Sequence, residues 1–426
     1  MTRRLRVAVV TRAVFPLHGL GGLERSVYDL VRYLAGADVE VTLITRTPAH
    51  HPLTAAGGGD AGEALARQID ARIALRFVPY RTFPFAGRRG TTVLDRSTAY
   101  PLFGERAGRV AWGLAQQGKI DLVHGFGASV LGFARRRARG PVPLVLNPQG
   151  LEEFGATDPA RARLKRAAYL PLRRAVLACA RAADCVIATD RALEPAVRSH
   201  LDLPAERVRV IPNALDLEVV DALAGPADGA RVRRDAAIAT EDLVLLSVGR
   251  IEENKGFQVL AAALAALRDH AARIGAGRWH WIVVGDGPFR ARLESAVAGA
   301  GLAPRVRLVG RLPDRELHAW YEAADLFVHP TLYEGSSLVT LEAMAHRRAA
   351  VTTTAGGLPD KIRPGINGWL VPPGDPSALA AAISGALGDP QRLAPMGLAG
   401  RAIVEREFSW GAAGAATLAL YRDLVR

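Results

Sequence analysis

Short runs of Val, Ile and Leu alternate with Ala-, Leu- and Arg-rich stretches along almost the whole chain. Such runs are typical of parallel strands that are buried on both faces, and the alternation predicts βαβ units. The pattern forms two successive series. The first predicts strands at residues 6–11, 39–45, 73–78, 122–124, 144–147, 185–188 and 208–211, and the second at 243–248, 281–284, 306–309, 326–329, 350–353 and 369–371.

The segment between the two series, IPNALDLEVVDALAGPADGA, contains two prolines and two glycines and is the expected linker. A length of 426 residues suits two or three domains. We expect an N-terminal domain at 1–212, joined by a C-terminal helix at about 408–426, and a second domain at 213–407. Two such domains would form a cleft where the carboxyl ends of their strands face each other.

The net charge of +13 is unevenly distributed, because residues 1–212 carry a net +14 and the remainder a net −1. A basic half suggests an anionic partner, such as nucleic acid, anionic lipid or an acidic glycan. High-GC coding bias is the alternative, since only four of the 55 basic residues are Lys. That bias would account for the total net charge but not for its uneven distribution between the two halves of the chain.

The two cysteines, Cys179 and Cys185, lie too close together to join domains, and no Cys/His cluster has metal-ligand spacing. We therefore expect a cytoplasmic protein without a metal or other cofactor. The apolar run at 7–10 is too short for a signal peptide, and no stretch approaches 18 uncharged apolar residues.

The segment LYEGSSLVTLEAMAHRR has the most informative chemistry. Ser336 or Ser337 can cap a helix that begins there, with Glu342 about two turns in. The free N–H groups of such a helix favour a phosphate, and Gly335 allows a close backbone approach. Glu334 and Glu342 can accept hydrogen bonds from the hydroxyl pairs of a ribose or hexose. The alternative is a capped surface helix with solvated glutamates.

Two further loops follow predicted strands in the second series. In SVGRIEENKGF, Arg250 and Lys255 flank a tight loop, and two cations there suit a diphosphate. IVVGDGP is a weaker signal of the same kind. In the first series, PLHGLGGLERSV places Gly19, Gly21 and Gly22 between a strand and a helix, without the acidic partner of a dinucleotide fingerprint.

Six segments, taken in their order along the chain, resemble those of the retaining glycosyltransferases of family 4. They are GGLERSV, VGRIEENKGF, VVGDGP, YEGSSLVTLEAMA, GGLPD and NGWLVPPGD. The terminal FSW at 408–410 also resembles that family's closing signature. The most specific feature is the pair of glutamates, Glu334 and Glu342, separated by seven residues. The resemblance implies the GT-B fold, in which two Rossmann-like α/β domains with parallel sheets face a cleft.

The resemblance also implies site residues for a nucleotide-sugar donor. Arg250 and Lys255 would hold the diphosphate, Glu342 the ribose hydroxyls, and Arg311 and Leu312 the base. The transferred sugar and the phosphates would contact Gly21, Gly22, Glu334, Gly335, Ser336, Ser337, Leu338 and Thr340. The cations and the helix N-terminus would stabilise the leaving group in place of a metal.

The chain departs from the family at two places. Relatives often read EGFGLPPLEA, whereas Ser336 and Ser337 stand at the Phe-Gly positions. Many relatives carry a His on the acceptor side, where this chain has Gln149, which can only form hydrogen bonds. Glu152 and His124 are the other acceptor-side candidates, against the alternatives of a solvated helix start and a satisfied strand-end histidine.

A basic stretch in the first half would allow peripheral binding to an anionic membrane surface at the inner face, where a glycan or lipid-linked acceptor would be met. Pro171 would break or kink this helix. The alternative is a solvated helix that packs its apolar side inward. The stretch contains Arg161, Arg163, Lys165, Arg166, Arg173, Arg174 and Arg181, and a second cluster contains Arg135, Arg136, Arg137 and Arg139.

We expect a transferase that acts in cell-surface polysaccharide assembly, and three other functions are less consistent with the sequence. A nucleotide-sugar 2-epimerase would need further acid/base residues that no segment supplies. A phosphorylase would need a lysine suited to pyridoxal phosphate. A basic nucleic-acid-binding protein would need interleaved aromatic residues, but aromatic content is only 6%. We therefore expect no nucleic-acid partner.

Overall fold

The structure is a computed structural model that describes residues 3–19, 21–48, 69–81, 92–137, 140–148, 151, 154, 167–274 and 279–426. The chain divides into two compact units. The first unit contains Met1–Asn213 and Ala413–Arg426, and the second contains Ala214–Ala412.

The first unit contains a parallel sheet of seven strands in the order β3-β2-β1-β4-β5-β6-β7. The strand order reverses direction between β1 and β4, whose residues Val9 and His124 are register partners. All strands predicted for the first series are confirmed to within two residues at each end. They are β1 Arg6–Val10, β2 Glu40–Arg46, β3 Ile73–Val78, β4 Leu122–Phe126, β5 Leu144–Asn147, β6 Cys185–Ala188 and β7 Val208–Val210.

The described helices of the first unit include α4 (Leu170–Ala182), which carries part of the basic stretch. Pro171 lies in the first turn of α4, where its missing N–H costs no helical hydrogen bond. A turn at Tyr169 separates α4 from the helical residues 167–168, so the helical stretch is interrupted next to Pro171, as predicted. Leu172, Val176 and Cys179 are buried, whereas Arg174 is exposed, so the apolar side packs inward. The helices are α1 Gly22–Gly36, α2 Thr92–Gln116, α3 Leu131–Ala134, α4 Leu170–Ala182 and α5 Glu194–Leu201.

The second unit contains a parallel sheet of six strands in the order β10-β9-β8-β11-β12-β13. The first strand of this unit, β8, lies at the centre, and the chain builds outward from it in both directions. The strands confirm the second predicted series to within two residues. They are β8 Leu243–Val248, β9 Trp279–Val284, β10 Val306–Gly310, β11 Leu326–His329, β12 Ala349–Thr353 and β13 Gly368–Val371.

The central strands of this sheet are buried on both faces, as the uninterrupted apolar runs predict. Along β8, Val244 and Leu246 pack into one apolar cluster with Tyr321, whereas Leu245 packs into a second with Trp281. The helices of the second unit are α6 Leu217–Leu223, α7 Pro226–Asp235, α8 Phe257–Ile274, α9 Arg290–Gly299, α10 Asp314–Ala323, α11 Leu338–Ala345, α12 Leu358–Lys361, α13 Pro376–Gly388 and α14 Leu393–Glu407. The last helix of the chain, α15 Trp410–Val425, lies mostly in the first unit, which resumes at Ala413.

The segment expected as a linker is largely helical, since α6 and α7 lie within or extend from it. The side chain of Asp216 caps α6 by accepting a hydrogen bond from the Val219 N–H at 3.2 Å. A sequence rich in Pro and Gly therefore marks helix starts here, where Pro226 occupies the first turn of α7.

None of the helices in the described parts of the chain combines the length and apolar character that a membrane span requires.

Candidate active site

The candidate site lies at the carboxyl edge of the second sheet, where strand order reverses between β8 and β11. In open parallel sheets, ligands bind outside the carboxyl ends of the strands at such a reversal. The loop after β8 carries Lys255, and the loop after β11 carries Glu334. The fold thus brings together two predicted site residues that lie 79 positions apart in the sequence.

Lys255, His329 and Glu334 form a hydrogen-bonded group, here called the Glu334 cluster. Lys255 Nζ lies 2.9 Å from Glu334 Oε2, and His329 Nε2 lies 2.8 Å from the same oxygen. The Gly335 N–H donates to Glu334 Oε1 at 3.1 Å. His329 is fully buried, whereas about a fifth of the Lys255 side chain remains accessible. The cluster therefore fixes both carboxylate oxygens of Glu334.

The electrostatics of the cluster keep Glu334 ionised and His329 neutral. Burial opposes the charge on Glu334, but the hydrogen bond from His329 and the charge of Lys255 outweigh it, so the pKa of Glu334 is well below its usual range. Burial lowers the pKa of His329, and its bond to Glu334 only partly opposes that effect. Because a carboxylate can only accept, neutral His329 carries its proton on Nε2 and donates it to Glu334.

Backbone contacts hold the loops of this edge against one another. The Leu332 N–H donates to the Asn254 carbonyl at 2.8 Å, and the Gly357 N–H donates to the Gly335 carbonyl at 2.9 Å. Gly356 has a φ of +55°, and a Cβ there would lie 1.7 Å from the Glu334 carbonyl oxygen. Only glycine fits at this position, because both the backbone angle and the contact exclude a side chain.

The helix α11 begins where the sequence predicts it. Ser337 is the N-cap residue, and its Oγ accepts from the Thr340 N–H at 3.3 Å. Ser337 and Thr340 are buried, and their hydroxyl oxygens lie 2.9 Å apart. Leu338 packs its side chain into the apolar core, so its backbone N–H is the group that can meet a ligand at this helix start.

Glu342 lies in the second turn of α11 and contacts a buried tyrosine. The Tyr321 hydroxyl donates to Glu342 Oε2 at 2.8 Å. Burial, together with the neighbouring charge of Glu342, raises the pKa of Tyr321 well above its ordinary value, so the hydroxyl stays protonated. Tyr321 therefore orients the Glu342 carboxylate, for which the family resemblance implies a role in ribose binding.

In the described parts of the chain, no hydrogen bond or ion pair joins the predicted donor residues Arg250, Arg311 and Leu312 to the Glu334 cluster. Arg250 follows β8, but its side chain is 73% exposed and pairs with Glu252 at 2.7 Å. Arg311 and Leu312 follow β10, the edge strand, two strands from β8. Arg311 is exposed, and Leu312 packs against the apolar core.

In the first unit, Gly21 is the N-cap of α1 and Gly22 is its first residue. His124 is buried in β4, where its Nδ1 lies 2.5 Å from the Tyr421 hydroxyl oxygen and its ring stacks on Phe126. Burial lowers the pKa of His124 to about 3, so the ring is neutral. The acceptor-side candidates Gln149 and Glu152 lie outside the described residues.

Three arginines of the second basic cluster have acidic partners in the structure. Arg135 and Arg136 both pair with Glu105 at 3.0 Å, and Arg137 pairs with Asp184 at 2.6 Å. Arg139, Arg161, Arg163, Lys165 and Arg166 lie outside the described residues.

The two parallel sheets, with a carboxylate, a lysine and a capped helix at one strand reversal, define a two-domain α/β enzyme of the GT-B type. The sequence matches the model Glycosyltransferase Family 4 over residues 20–219 and the model Glycosyl transferases group 1 over residues 242–389. The chain belongs to glycosyltransferase family 4 and is a glycosyltransferase.

Two relatives illustrate this membership. D-inositol 3-phosphate glycosyltransferase 1 from Catenulispora acidiphila is 31% identical over 328 residues, which cover 73% of this chain and 74% of that protein. Amylovoran biosynthesis glycosyltransferase AmsK from Erwinia amylovora is 32% identical over 217 residues. That second match spans about half of each protein, 48% in both cases.

Two solved structures share the fold over nearly their whole length. Sucrose-phosphate synthase from Thermosynechococcus elongatus matches with a TM-score of 0.75 and 25% identity, covering 99% of both chains. Anabaena HepE in complex with UDP matches with a TM-score of 0.72 and 20% identity, covering 99% of this chain and 100% of that one.

Sequence reasoning missed three residues that contact predicted site residues: His329, Tyr321 and Lys361. His329 is the last residue of the apolar run LFVH, and a polar residue at the carboxyl end of a buried strand is a signal that could have indicated it. Tyr321 lies in α10, 21 residues before Glu342, and its role depends on how the two helices pack.

Proposed function

We propose that this chain is a retaining, metal-independent glycosyltransferase that moves a sugar from a UDP- or GDP-sugar to a glycan or glycolipid acceptor. The observation that supports the donor assignment best is the Glu334 cluster at the strand reversal of the second sheet. The UDP bound to HepE favours a nucleotide-sugar donor. The amylovoran biosynthesis named for AmsK favours a role in cell-surface polysaccharide assembly.

Lys255 is the group best placed to stabilise the leaving diphosphate. A lysine ammonium has three donor hydrogens, and its bond to Glu334 uses one of them. As the anomeric C–O bond breaks, negative charge grows on the departing phosphate. Lys255, the exposed Arg250 and the N-terminus of α11 would stabilise that charge without a divalent ion.

Glu334 would bind hydroxyl groups of the transferred sugar. Its pKa is lowered, so it remains a carboxylate at neutral pH and can only accept hydrogen bonds. Glu342, held by Tyr321, would accept from the ribose hydroxyls. The acceptor hydroxyl forms the new glycosidic bond, and the products are the glycoside, a nucleoside diphosphate and a proton.

Gly21 and Gly22 at the start of α1 would approach the donor phosphates, and Arg311 with Leu312 would flank the base. His124, Gln149 and Glu152 remain the proposed acceptor-side residues. Binding to an anionic membrane surface would bring the enzyme to a lipid-linked acceptor.

A donor-hydrolysis assay with a panel of UDP- and GDP-sugars in excess chelator tests this function. We expect turnover of at least one donor, and an α-configured product from an α-configured donor once an acceptor is found. Loss of all activity in chelator that divalent ions restore would contradict metal independence, and inversion at the anomeric carbon would contradict retention.

A further inference from the structure

Two of the four lysines in this arginine-rich chain contact the same short loop, residues 334–337. Lys255 binds Glu334 at one end, and Lys361 Nζ lies 3.3 Å from Ser336 Oγ near the other. The remaining lysines are Lys119 and Lys165. A compact ammonium with three donors fits a confined site that the planar guanidinium of arginine does not.

Lys361 is the last residue of α12 and is fully buried. Its ammonium also donates to the Gly357 carbonyl at 3.2 Å, and it lies 5.6 Å from the centre of the Phe408 ring. Burying an ammonium is costly, and its attraction to its partners must offset that cost. Stability alone therefore does not account for a lysine here.

The contact with Lys361 determines what the Ser336 hydroxyl can do. An ammonium can only donate, so Ser336 Oγ must accept the hydrogen bond from Lys361. The hydroxyl hydrogen of Ser336 then points to a different acceptor. A hydroxyl that accepts from a cation is polarised and donates more strongly.

We propose that Ser336 and Lys361 form a donor-recognition pair, in which the Ser336 hydroxyl donates to an oxygen of the bound nucleotide sugar and Lys361 acts as a positioning residue. The inference rests on the proposed function, because it assumes that residues 334–337 contact the donor. The usual family sequence EGFG has Phe where Ser336 stands, so the pair supplies a polar contact that this Phe cannot make.

The test compares Ser336→Ala, Lys361→Met and the double variant with wild type in steady-state donor kinetics. Lys119→Met is the matched control, because Lys119 is exposed and lies in the first unit. Losing one hydrogen bond to the ligand should raise the donor KM about tenfold in each single variant, with kcat within about threefold. The double variant should be no worse than either single one, because the two residues act as a unit.

Calorimetry with the nucleoside diphosphate alone identifies the oxygen that Ser336 contacts. Weaker binding of the diphosphate indicates a phosphate oxygen, whereas unchanged diphosphate binding with a raised donor KM indicates the sugar. Both results support the pair.

The proposal is overturned if Ser336→Ala and Lys361→Met keep the wild-type KM, or if their effects multiply in the double variant. If Lys361→Met does not fold, Ser336→Ala still decides, since it removes only a hydroxyl and an unchanged KM refutes the contact. A wild-type protein that binds no nucleoside diphosphate would instead refute the proposed function.

Discussion

Each unit has a buried histidine in a strand at the point where strand order reverses, but the two histidines have different partners. In the first unit, His124 bonds to Tyr421 and stacks on Phe126. In the second, His329 bonds to Glu334, which also pairs with Lys255. Position in the fold is therefore not enough to indicate chemistry. The charged partners supplied by neighbouring loops distinguish the second reversal as the candidate donor site.

The largest effect that this comparison predicts is at Lys255. Lys255→Ala should reduce turnover by about 10²–10³, as when a preorganised transition-state donor is removed (~2.7–4 kcal/mol). Arg250→Ala should act in the same direction. Lys119→Ala is the control in the first unit. Steady-state kinetics measure the turnover of all three variants. Near-normal turnover in Lys255→Ala would show that this lysine does not stabilise the leaving group.

Glu342 and Glu334 should differ in which parameter they change. Glu342→Ala should weaken nucleoside diphosphate binding by about 1.5–3 kcal/mol, since a charged acceptor for the ribose is lost. Glu334→Gln should lower turnover while the affinity for the diphosphate stays within about threefold. Titration calorimetry and kinetics on both variants separate these outcomes, and identical behaviour of the two would show that the division of roles is wrong.

The buried histidine of the first unit should also make folding sensitive to acid. Burial lowers the pKa of His124 to about 3, so below pH 6.5 the unfolded chain takes up a proton that the folded chain does not. His124 alone should then reduce the free energy of unfolding by about 1.4 kcal/mol per pH unit between pH 6.5 and about 3.

Denaturant unfolding of wild type and His124→Gln from pH 7.5 to 5 measures this slope. His18, whose pKa burial lowers to about 4, contributes a similar slope and serves as the internal comparison. The His124→Gln slope should be shallower by about 1.4 kcal/mol per unit, and equal slopes would mean that His124 protonates in the folded state.

The smallest predicted effect concerns the basic surface of the first unit. Arg135, Arg136 and Arg137 are paired with carboxylates, which reduces the charge available to lipid headgroups. Binding to anionic vesicles should therefore be weak, fade as salt rises, and drop when Arg163, Lys165, Arg166, Arg173 and Arg174 become Gln. Equal co-sedimentation with neutral vesicles would rule out electrostatic membrane binding.

The sequence predicts the strands well because buried parallel strands are uninterrupted apolar runs. Such runs can be recognised without knowing what packs against them. It also predicts Glu334, the Ser337 cap and Glu342, which lie within one continuous segment. It does not reveal that His329, Tyr321 and Lys361 contact the candidate site residues. Tyr321 and Lys361 have partners that only packing brings near, as when α12 places Lys361 beside Ser336, 25 residues earlier. His329 lies five positions before Glu334, and its polar side chain at the end of a buried strand is the signal that could have indicated it.

The most direct test of the central claim is calorimetric titration of UDP and GDP, in excess chelator, into wild type, Lys255→Ala and Lys119→Ala. The donor assignment predicts that wild type and Lys119→Ala bind one of the two nucleotides with equal affinity, and that Lys255→Ala binds it at least tenfold more weakly. Equal binding by all three proteins, or binding by none, would contradict a donor site at the β8–β11 reversal.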